Sequence, residues 1–239
     1  MICSVYFYWN GLEIITTMKV TPKKSIQDVN VIAGKSGIIG IIRNDEKGDA
    51  IYGGGMYDGR VNVDPAQKRF GDSRALYIAA LHKEPKDLLE IGLSTGSWTR
   101  VISSFPNINN ITVVEINQKY LDLVKLYPSV SGILNDPKIN LIFDDGRRYL
   151  THTSKTFDFI LMNTTFHYRE NVTNLISIEF LNLCKQKLKP GGVLYWNTTG
   201  SKDIVYTAAN AFNYVVRYGT FVAASDSPFT VGKEHIKKT

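Results

Sequence analysis

The stretch DLLEIGLSTGSWTR, residues 87–100, contains the local pattern that decides the fold. Its first part, DLLEI, is a short, mostly apolar run typical of a strand buried in a parallel sheet. Gly92 and Gly96 predict a turn, with Ser94 and Thr95 inside it, and SWTR begins a helix. Glycine lets the backbone approach a ligand, and a helix start presents free N–H groups. We therefore predict a ligand-binding strand–turn–helix unit.

The same alternation of strands and helices continues along the chain. Apolar runs recur at ITVVEI, INLIFDD, FDFILMN and GVLYWNTT, separated by segments with helical spacing of apolar residues. NYVVRYG and TFVAASD predict an antiparallel hairpin at one edge. Together these runs predict an α/β fold with a mostly parallel seven-stranded sheet covered by helices on both faces.

Residues 1–68 have a different pattern, without helical periodicity. Asn10-Gly11 joins two β-prone runs, which is a strong hairpin signal. SGIIGIIRN and DAIYGGG flank a longer turn, and Asp58-Gly59 lies between two short runs. We predict an N-terminal antiparallel β domain of four to six strands over residues 1–68, followed by the α/β domain over residues 69–239.

The bulk composition is that of a soluble globular protein. Apolar residues make up 44% and charged residues 21% of the chain, and no apolar run reaches the roughly 18 residues that span a bilayer. The opening MICSVYFYW lacks the features of a signal peptide. Cys3 and Cys184 are far apart and have no metal-like spacing. We expect a cytoplasmic protein with reduced thiols, no metal and no membrane partner.

The net charge of +6 raises the question of nucleic acid. Several lysines, however, lie in PKK at residues 22–24 and in the tail GKEHIKKT, which are typical of solvated segments. We therefore expect no nucleic-acid partner and a small-molecule substrate instead.

The carboxyl ends of the predicted strands carry a second set of candidate residues, because ligands bind at that edge of such sheets. Glu115 lies about 20 residues after the glycine turn, which suits the hydroxyls of an adenosine ribose. Asp144, Asp145 and Gly146 follow the third strand, where a carboxylate can accept from an adenine amino group or cap the next helix. No phosphate-binding motif is present. The pattern predicts an adenosine without phosphates, and S-adenosylmethionine is the commonest such ligand.

At these residues the chain resembles the spermidine synthase (polyamine aminopropyltransferase) family. The resemblance spans residues 50 to 225 and is carried by YDGRVN, LHKEPKDLLEIGLSTGSWTR, VVEIN, DDGRRYL, FDFILMN and LKPGGVLYWN. It implies a Rossmann-like fold of the class I S-adenosylmethionine-dependent type with a small N-terminal β domain. It also implies a homo-oligomer, a dimer or larger, and a reaction in which an amine attacks decarboxylated S-adenosylmethionine and methylthioadenosine leaves.

The resemblance assigns roles to particular positions. Gly92 and Gly96 match the glycine loop, Glu115 the ribose-binding acid and Asp145-Gly146 the adenine-side pair. Asn62 lies where the family often has a glutamine near the co-substrate. The complete predicted set for binding S-adenosylmethionine or its decarboxylated form is Asn62, Gly92, Ser94, Thr95, Gly96, Glu115, Asp144, Asp145, Gly146, Asn163 and Thr164.

The acceptor side departs from the family pattern. Thr95 replaces the aspartate of the glycine loop, and the motif Asp-Ser/Thr-Ser/Thr-Asp falls on NTTF, residues 163–166. Three carboxylates that would hold a cationic amine are therefore absent. Each lost charge-assisted hydrogen bond costs about 2–3 kcal/mol in a desolvated site. We predict that putrescine is a poor substrate.

The replacements are polar and aromatic. We predict Asn163, His167 and Tyr168 as catalytic residues, and Arg169 as a group that could bind a carboxylate. A second NTT at residues 197–199 would line the same pocket through Asn197 and Thr198. Both NTT stretches could instead cap turns, and Asp226 could be a displaced acid or a turn residue.

Four functions remain open from the sequence. The first is a spermidine-synthase-like transferase acting on the S-adenosyl sulfonium, releasing methylthioadenosine, with a non-diamine acceptor. The second is a lyase or cyclase that needs no external acceptor. The third is an S-adenosylmethionine-dependent methyltransferase, and the fourth is an inactive nucleoside-binding homologue.

Overall fold

The computed structural model describes residues 29–43, 48–64, 72–163 and 172–229. Two sheets account for its strands. The smaller is an antiparallel meander of β1 (Val29–Gly34), β2 (Gly37–Ile42), β3 (Ala50–Gly53) and β4 (Met56–Arg60). This confirms a small antiparallel sheet ahead of the α/β region. The predicted hairpin at Asn10-Gly11 lies outside the described residues.

One detail of the small sheet differs from expectation. Asp58-Gly59 does not separate two β runs, because both residues lie inside β4. Ile51 pairs with Gly59 and Tyr52 pairs with Tyr57, so Asp58 is the extra residue of a β-bulge. Gly59 has a φ of 133°, a conformation that glycine adopts freely. The bulge directs Asp58 toward the larger sheet, as described below.

The larger sheet has seven strands in the order β10-β11-β9-β8-β5-β6-β7. Five of them, β5 (Asp87–Ile91), β6 (Asn110–Glu115), β7 (Ile139–Phe143), β8 (Phe157–Met162) and β9 (Leu188–Asn197), are mutually parallel. β11 (Phe221–Ser225) pairs antiparallel with β9 and with β10 (Tyr214–Tyr218). The mostly parallel seven-stranded sheet and its edge hairpin are therefore confirmed.

Helices pack on the sheet as the alternating pattern predicted. They are α1 (Asp72–Leu76), α2 (Ile78–Leu81), α3 (Ser97–Ser103), α4 (Lys119–Lys125), α5 (Pro128–Ser131), α6 (Gly146–His152), α7 (Ile178–Lys187) and α8 (Lys202–Ala211). Short 3₁₀ turns occupy Gly132–Leu134 and Val172–Leu175. The side chain of Ser177 caps α7 by accepting from the N–H of Phe180 at 3.3 Å. No helix in the described ranges is both long and apolar enough to cross a membrane.

The two faces of the large sheet bury separate apolar clusters. Leu88, Phe159 and Tyr195 point to one face, where they pack with α3 and with Ile39 and Ile51 of the small sheet. Leu89, Ile160 and Trp196 point to the other face, toward α7 and α8. The small sheet is thus packed through apolar side chains onto the face that carries the glycine turn, which brings β4 next to the carboxyl ends of the strands.

Candidate functional site

The glycine turn follows β5 at the carboxyl edge of the sheet. Gly92 has a φ of 95° and Gly96 a φ of 75°, both in the region that favours glycine. A Cβ on Gly92 would lie 2.8 Å from the main-chain oxygen of Asn163, which follows the neighbouring strand β8. The absence of a side chain at Gly92 therefore allows the ends of β5 and β8 to come together. This confirms the predicted turn and gives its physical cause.

Ser94 and Thr95 are buried inside this turn. Ser94 has a φ of 49°, and its hydroxyl donates to the carbonyl of Asp58 in the β4 bulge at 2.8 Å. The Thr95 hydroxyl donates to Ser97 Oγ at 2.9 Å, and Ser97 in turn donates to the carbonyl of Arg60. Both predicted side chains therefore hold the turn against β4.

Glu115 ends β6 and lies beside the turn. Its Oε2 accepts from the N–H of Leu93 and its Oε1 from the N–H of Asn117, each at 2.8 Å. Burial raises the pKa of this carboxyl to about 7, against the opposing effect of the N–H groups of Asn117, Leu93 and Ser94. A carboxylate has about four acceptor positions. Glu115 thus both braces the turn and keeps acceptor capacity for a hydroxyl.

Asp58 is a residue that the sequence analysis did not select. Its carboxylate accepts a hydrogen bond from the hydroxyl of Tyr120 in α4, and its negative charge raises the pKa of Glu115. The bulge in β4 thus adds a second acidic side chain on the ribose side of the predicted site. The motif YDGRVN contained the residue, but only the packing of the two sheets shows its neighbours.

Asn62 follows β4 and is buried at the same place. Its N–H donates to Ser97 Oγ at 3.2 Å, and its Oδ1 accepts from the N–H of Asp64 at 2.8 Å. The structure therefore brings Asn62 to the start of α3, next to the glycine turn.

Asp144 and Asp145 follow β7 on the other side of Glu115. The N–H of Asp144 donates to the carbonyl of Glu115 at 3.1 Å, and its carboxylate pairs with Arg148. Asp145 caps α6 by accepting from the N–H of Arg148 at 2.9 Å, so the capping role is confirmed. A Cβ on Gly146 would lie 2.6 Å from Ile91 Cγ2, which explains the glycine. An open depression of about 430 Å³ is lined by Asp144, Arg148, Tyr149, His152 and Thr153.

Asn163 is half-buried at the end of β8, and its N–H donates to the carbonyl of Ile91 at 2.9 Å. The structure therefore places it directly beside Gly92. Thr164, His167 and Tyr168, together with Phe166 and Arg169, lie outside the described residues, so their predicted roles stay predictions.

Thr198, in the second NTT stretch, does not line a pocket. Thr198 is fully buried, and its hydroxyl donates to the carbonyl of Thr220 at 2.8 Å. Asn197 Oδ1 accepts from the N–H of Thr199, whose φ is 48°. The prediction that Thr198 faces the ligand was wrong, because the Thr198 hydroxyl and Asn197 Oδ1 form hydrogen bonds that close the turn into α8.

Asp226 is also not a displaced acid of the site. β11 runs antiparallel to β9, so its end lies at the opposite edge of the sheet from Asn163 and Asn197. There Asp226 forms an ion pair with Lys185 at 2.8 Å and accepts from the N–H of Asn213. Its role is structural.

Glu90 is a second residue that the sequence analysis missed. It lies in β5, fully buried, and accepts from the Thr99 hydroxyl at 2.8 Å through Oε2. Its Oε1 has no hydrogen-bond partner among the described residues. Burial raises its pKa to about 8, so Glu90 is mainly protonated at neutral pH.

Comparisons with known proteins bear on this arrangement. The model of the spermine/spermidine synthase domain matches residues 77–231. The chain belongs to the spermine/spermidine synthase family. Polyamine aminopropyltransferase of Escherichia fergusonii is 33% identical over 114 residues, which are 47% of this chain and 39% of the relative. Polyamine aminopropyltransferase 1 of Pseudomonas aeruginosa is 32% identical over 140 residues, 57% of this chain and 49% of the relative. The matched regions therefore span about half or less of these family members.

Solved structures of the family show the same fold. A spermidine synthase in complex with the transition state analogue AdoDATO superposes with a TM-score of 0.70 at 19% identity, covering 84% of this chain and 74% of that one. The spermidine synthase of Thermotoga maritima gives a TM-score of 0.68 at 18% identity, covering 84% and 73%. The Rossmann-like architecture expected from the sequence is thus confirmed as that of the spermidine synthase family.

Proposed function

We propose that the chain is a transferase that acts on the sulfonium of decarboxylated or intact S-adenosylmethionine, passes an aminopropyl-type group to a non-diamine acceptor and releases methylthioadenosine. One observation carries the proposal. Asn163, an uncharged residue, lies directly against Gly92 at the position where the family resemblance places an aspartate. Thr95 in the same loop replaces a second aspartate.

The nucleoside side supports binding of the adenosyl group. Glu115 is held in place by backbone N–H groups and keeps acceptor capacity for ribose hydroxyls. Its burial strengthens such hydrogen bonds, because the surrounding dielectric is low. Asp144 and Gly146 lie at the next strand end, where the adenine ring would be placed by the family resemblance.

The acceptor side supports a substrate with less positive charge than a diamine. Thr95 uses its hydroxyl to bind Ser97, and Asn163 carries an amide in place of a carboxylate. Neither group can offset the desolvation of an ammonium ion as a carboxylate does. Intact S-adenosylmethionine would also meet less repulsion of its own carboxylate here. The attacking amine must be neutral, and His167, Tyr168 or solvent would take its proton.

We also propose that the boundary between the β domain and the α/β domain lies near residue 68. The end of the small sheet at Arg60 and the start of α1 at Asp72 support this proposal.

The test is to incubate the protein with S-adenosylmethionine and, separately, with its decarboxylated form, each with and without putrescine, and to identify the nucleoside product by mass spectrometry. We expect the donor to release little methylthioadenosine when putrescine is the only amine supplied, and more in further incubations with amines of lower positive charge. Efficient turnover of decarboxylated S-adenosylmethionine with putrescine would overturn the non-diamine proposal. Methylthioadenosine from S-adenosylmethionine alone would show a lyase or cyclase, S-adenosylhomocysteine a methyltransferase, and binding without product an inactive homologue.

The variant Asn163→Asp tests whether the uncharged residue beside Gly92 disfavours putrescine. It restores one carboxylate beside Gly92, so we expect a gain in putrescine use of about tenfold. Asn197→Asp is the matched control, because Asn197 ends the neighbouring strand but accepts a turn hydrogen bond from Thr199. An equal response of the two variants would show that the position of Asn163 has no special role.

A further inference from the structure

An aromatic cluster adjoins the predicted acceptor side. We call Tyr77, Tyr195, Tyr218 and Phe221 the tyrosine cluster. The ring centroids of Tyr77 and Tyr218 are 4.3 Å apart, and those of Tyr195 and Phe221 are 5.0 Å apart. The ring of Trp98, in the first turn of α3, lies 5.8 Å from that of Phe221. Since Phe221 pairs with Asn197, the cluster lies just beneath the carboxyl edge of the sheet.

The hydroxyl of Tyr195 is an unpaired donor inside this cluster. Tyr195 is only 2% exposed, and its hydroxyl has no hydrogen-bond partner among the described residues. A buried hydroxyl without a partner destabilises the fold, so its presence points to a ligand that satisfies it. The ring of Tyr195 packs against Phe221, and the guanidinium of Arg74 lies over the same Phe221 ring, so Tyr195 and Arg74 share this neighbour.

Arg74 supplies a positive charge beside this donor. Its guanidinium carbon lies 4.8 Å from the centroid of the Phe221 ring, a cation–π arrangement. In the part of the chain that the structure describes, Arg74 forms no ion pair or hydrogen bond. Its side chain is half-buried, and Tyr218 is 60% exposed, so the cluster is open to solvent on one side.

We propose that Arg74 and the hydroxyl of Tyr195 bind a carboxylate of the acceptor, with Phe221 and Trp98 as the apolar wall of this subsite. A guanidinium and a phenol hydroxyl are both donors, and a guanidinium matches the planar, two-oxygen shape of a carboxylate. The inference rests on the proposed function and names its acceptor class: an amine that carries a carboxylate, as in an ω-amino acid. Uncharged residues at positions 95 and 163, where the family has aspartates, and the positive charge of Arg74 change the charge of the acceptor side in the same direction.

The test is calorimetric titration of the protein with 4-aminobutanoate, an ω-amino acid of four carbons, and with putrescine, each with and without saturating methylthioadenosine. We expect 4-aminobutanoate to bind more tightly than putrescine. Arg74→Gln should weaken its binding by about tenfold or more, because the charge-assisted hydrogen bonds are lost. Arg100→Gln is the matched control, since Arg100 lies on α3 and contacts Ser103 instead.

Two further variants keep the test valid if Arg74→Gln does not fold. Arg74→Lys retains the charge but loses the two-pronged geometry, and Tyr195→Phe removes only the unpaired hydroxyl. We expect each to weaken 4-aminobutanoate binding about three- to tenfold and to leave methylthioadenosine binding unchanged. Equal affinity for 4-aminobutanoate and putrescine, or wild-type affinity in all three variants, would overturn the inference.

The same titrations separate this inference from the proposed function. If methylthioadenosine does not bind, the proposed function fails, while Arg74-dependent binding of 4-aminobutanoate to the free protein still supports the carboxylate subsite. If methylthioadenosine binds and the response to 4-aminobutanoate does not depend on Arg74, the subsite fails and the proposed function stands.

Discussion

The two halves of the carboxyl edge are built differently. At the ends of β5 and β6, the glycine turn and Glu115 are tied together by hydrogen bonds from backbone N–H groups. At the ends of β8 and β9, Asn163 presents an uncharged amide and Asn197 closes a turn. We call the ends of β5 and β6 the nucleoside half and the ends of β8 and β9 the acceptor half, after the ligands proposed for them. The nucleoside half has a geometry that few residue types can satisfy. The polar residues of the acceptor half are also explained by ordinary turn chemistry.

The largest expected effect concerns Glu90, beneath the nucleoside half. Burial raises its pKa to about 8, above the ordinary 4.5, so the folded protein keeps a proton that the unfolded chain releases. The free energy of unfolding should therefore fall as the pH rises from about 4.5 to about 8, by about 3–5 kcal/mol in total. Glu90→Gln retains an acceptor for Thr99 and cannot ionise, so the part of the pH dependence that comes from Glu90 should disappear in urea unfolding, while the part that comes from Glu115, whose pKa is raised to about 7, should remain. Glu84→Gln, at an exposed position, is the control, and parallel curves for all three proteins would contradict the prediction.

The next largest effect is expected at Gly92, where the ends of β5 and β8 come close together. Gly92→Ala places a Cβ 2.8 Å from the Asn163 main-chain oxygen at a φ of 95°, so we expect a loss of stability of about 2–4 kcal/mol. Gly191→Ala is the control, because Gly191 has a φ of 79° with open space around it and should lose about 1 kcal/mol. Thermal or urea unfolding measures both. Equal losses would show that backbone conformation alone, and not contact between the strand ends, explains the glycine.

Glu115→Gln tests the nucleoside half by itself. The amide NH₂ of glutamine would face a backbone N–H where one carboxylate oxygen now accepts, so we expect methylthioadenosine to bind about ten- to a hundredfold more weakly. In the wild type the affinity should rise with pH through about 7, as the carboxyl of Glu115 ionises. The variant should lack this rise. An unchanged affinity in the variant would mean that Glu115 only braces the turn.

Thr198→Val tests the acceptor half and should have the smallest effect. The change removes the hydrogen bond to the Thr220 carbonyl in a fully buried position, so we expect a loss of about 1 kcal/mol in stability. Binding of methylthioadenosine and of amine acceptors should be unchanged. If the free energy of acceptor binding fell by more than the free energy of unfolding, Thr198 would line the pocket after all.

Much of the fold followed from local sequence pattern. DLLEI and FDFILM are continuous apolar runs, and strands buried on both faces have that composition. Gly92, Gly96 and Glu115 were predictable because a turn and a strand end place strict demands on the residue type. The predicted helix through SRALYIAALHK is divided at Tyr77 into α1 and α2, a detail that helical spacing does not indicate.

Long-range contacts account for what the sequence analysis missed. Asp58 reaches Tyr120 only because a bulge in β4 turns it toward the large sheet. The sequence left the role of Asp226 open, and the antiparallel direction of β11, which moves its end to the far edge, excludes the alternative of a displaced acid. Asn163 and Asn197 both begin an NTT stretch at a strand end, yet Asn197 accepts from the N–H of Thr199 to close a turn, whereas Asn163 lies against Gly92.

The amino-acid sequence by itself determined the order of strands and helices, the glycine turn and the acid at the end of β6, because these depend on backbone conformation and short-range periodicity. Only the tertiary structure decided which polar groups are committed to hydrogen bonds and which buried groups have no partner among the described residues. Tyr195 and Arg74, 121 positions apart along the chain, come together because both lie against the ring of Phe221 in β11. Availability for binding is a property of the surroundings of a side chain, and those surroundings come from distant parts of the chain.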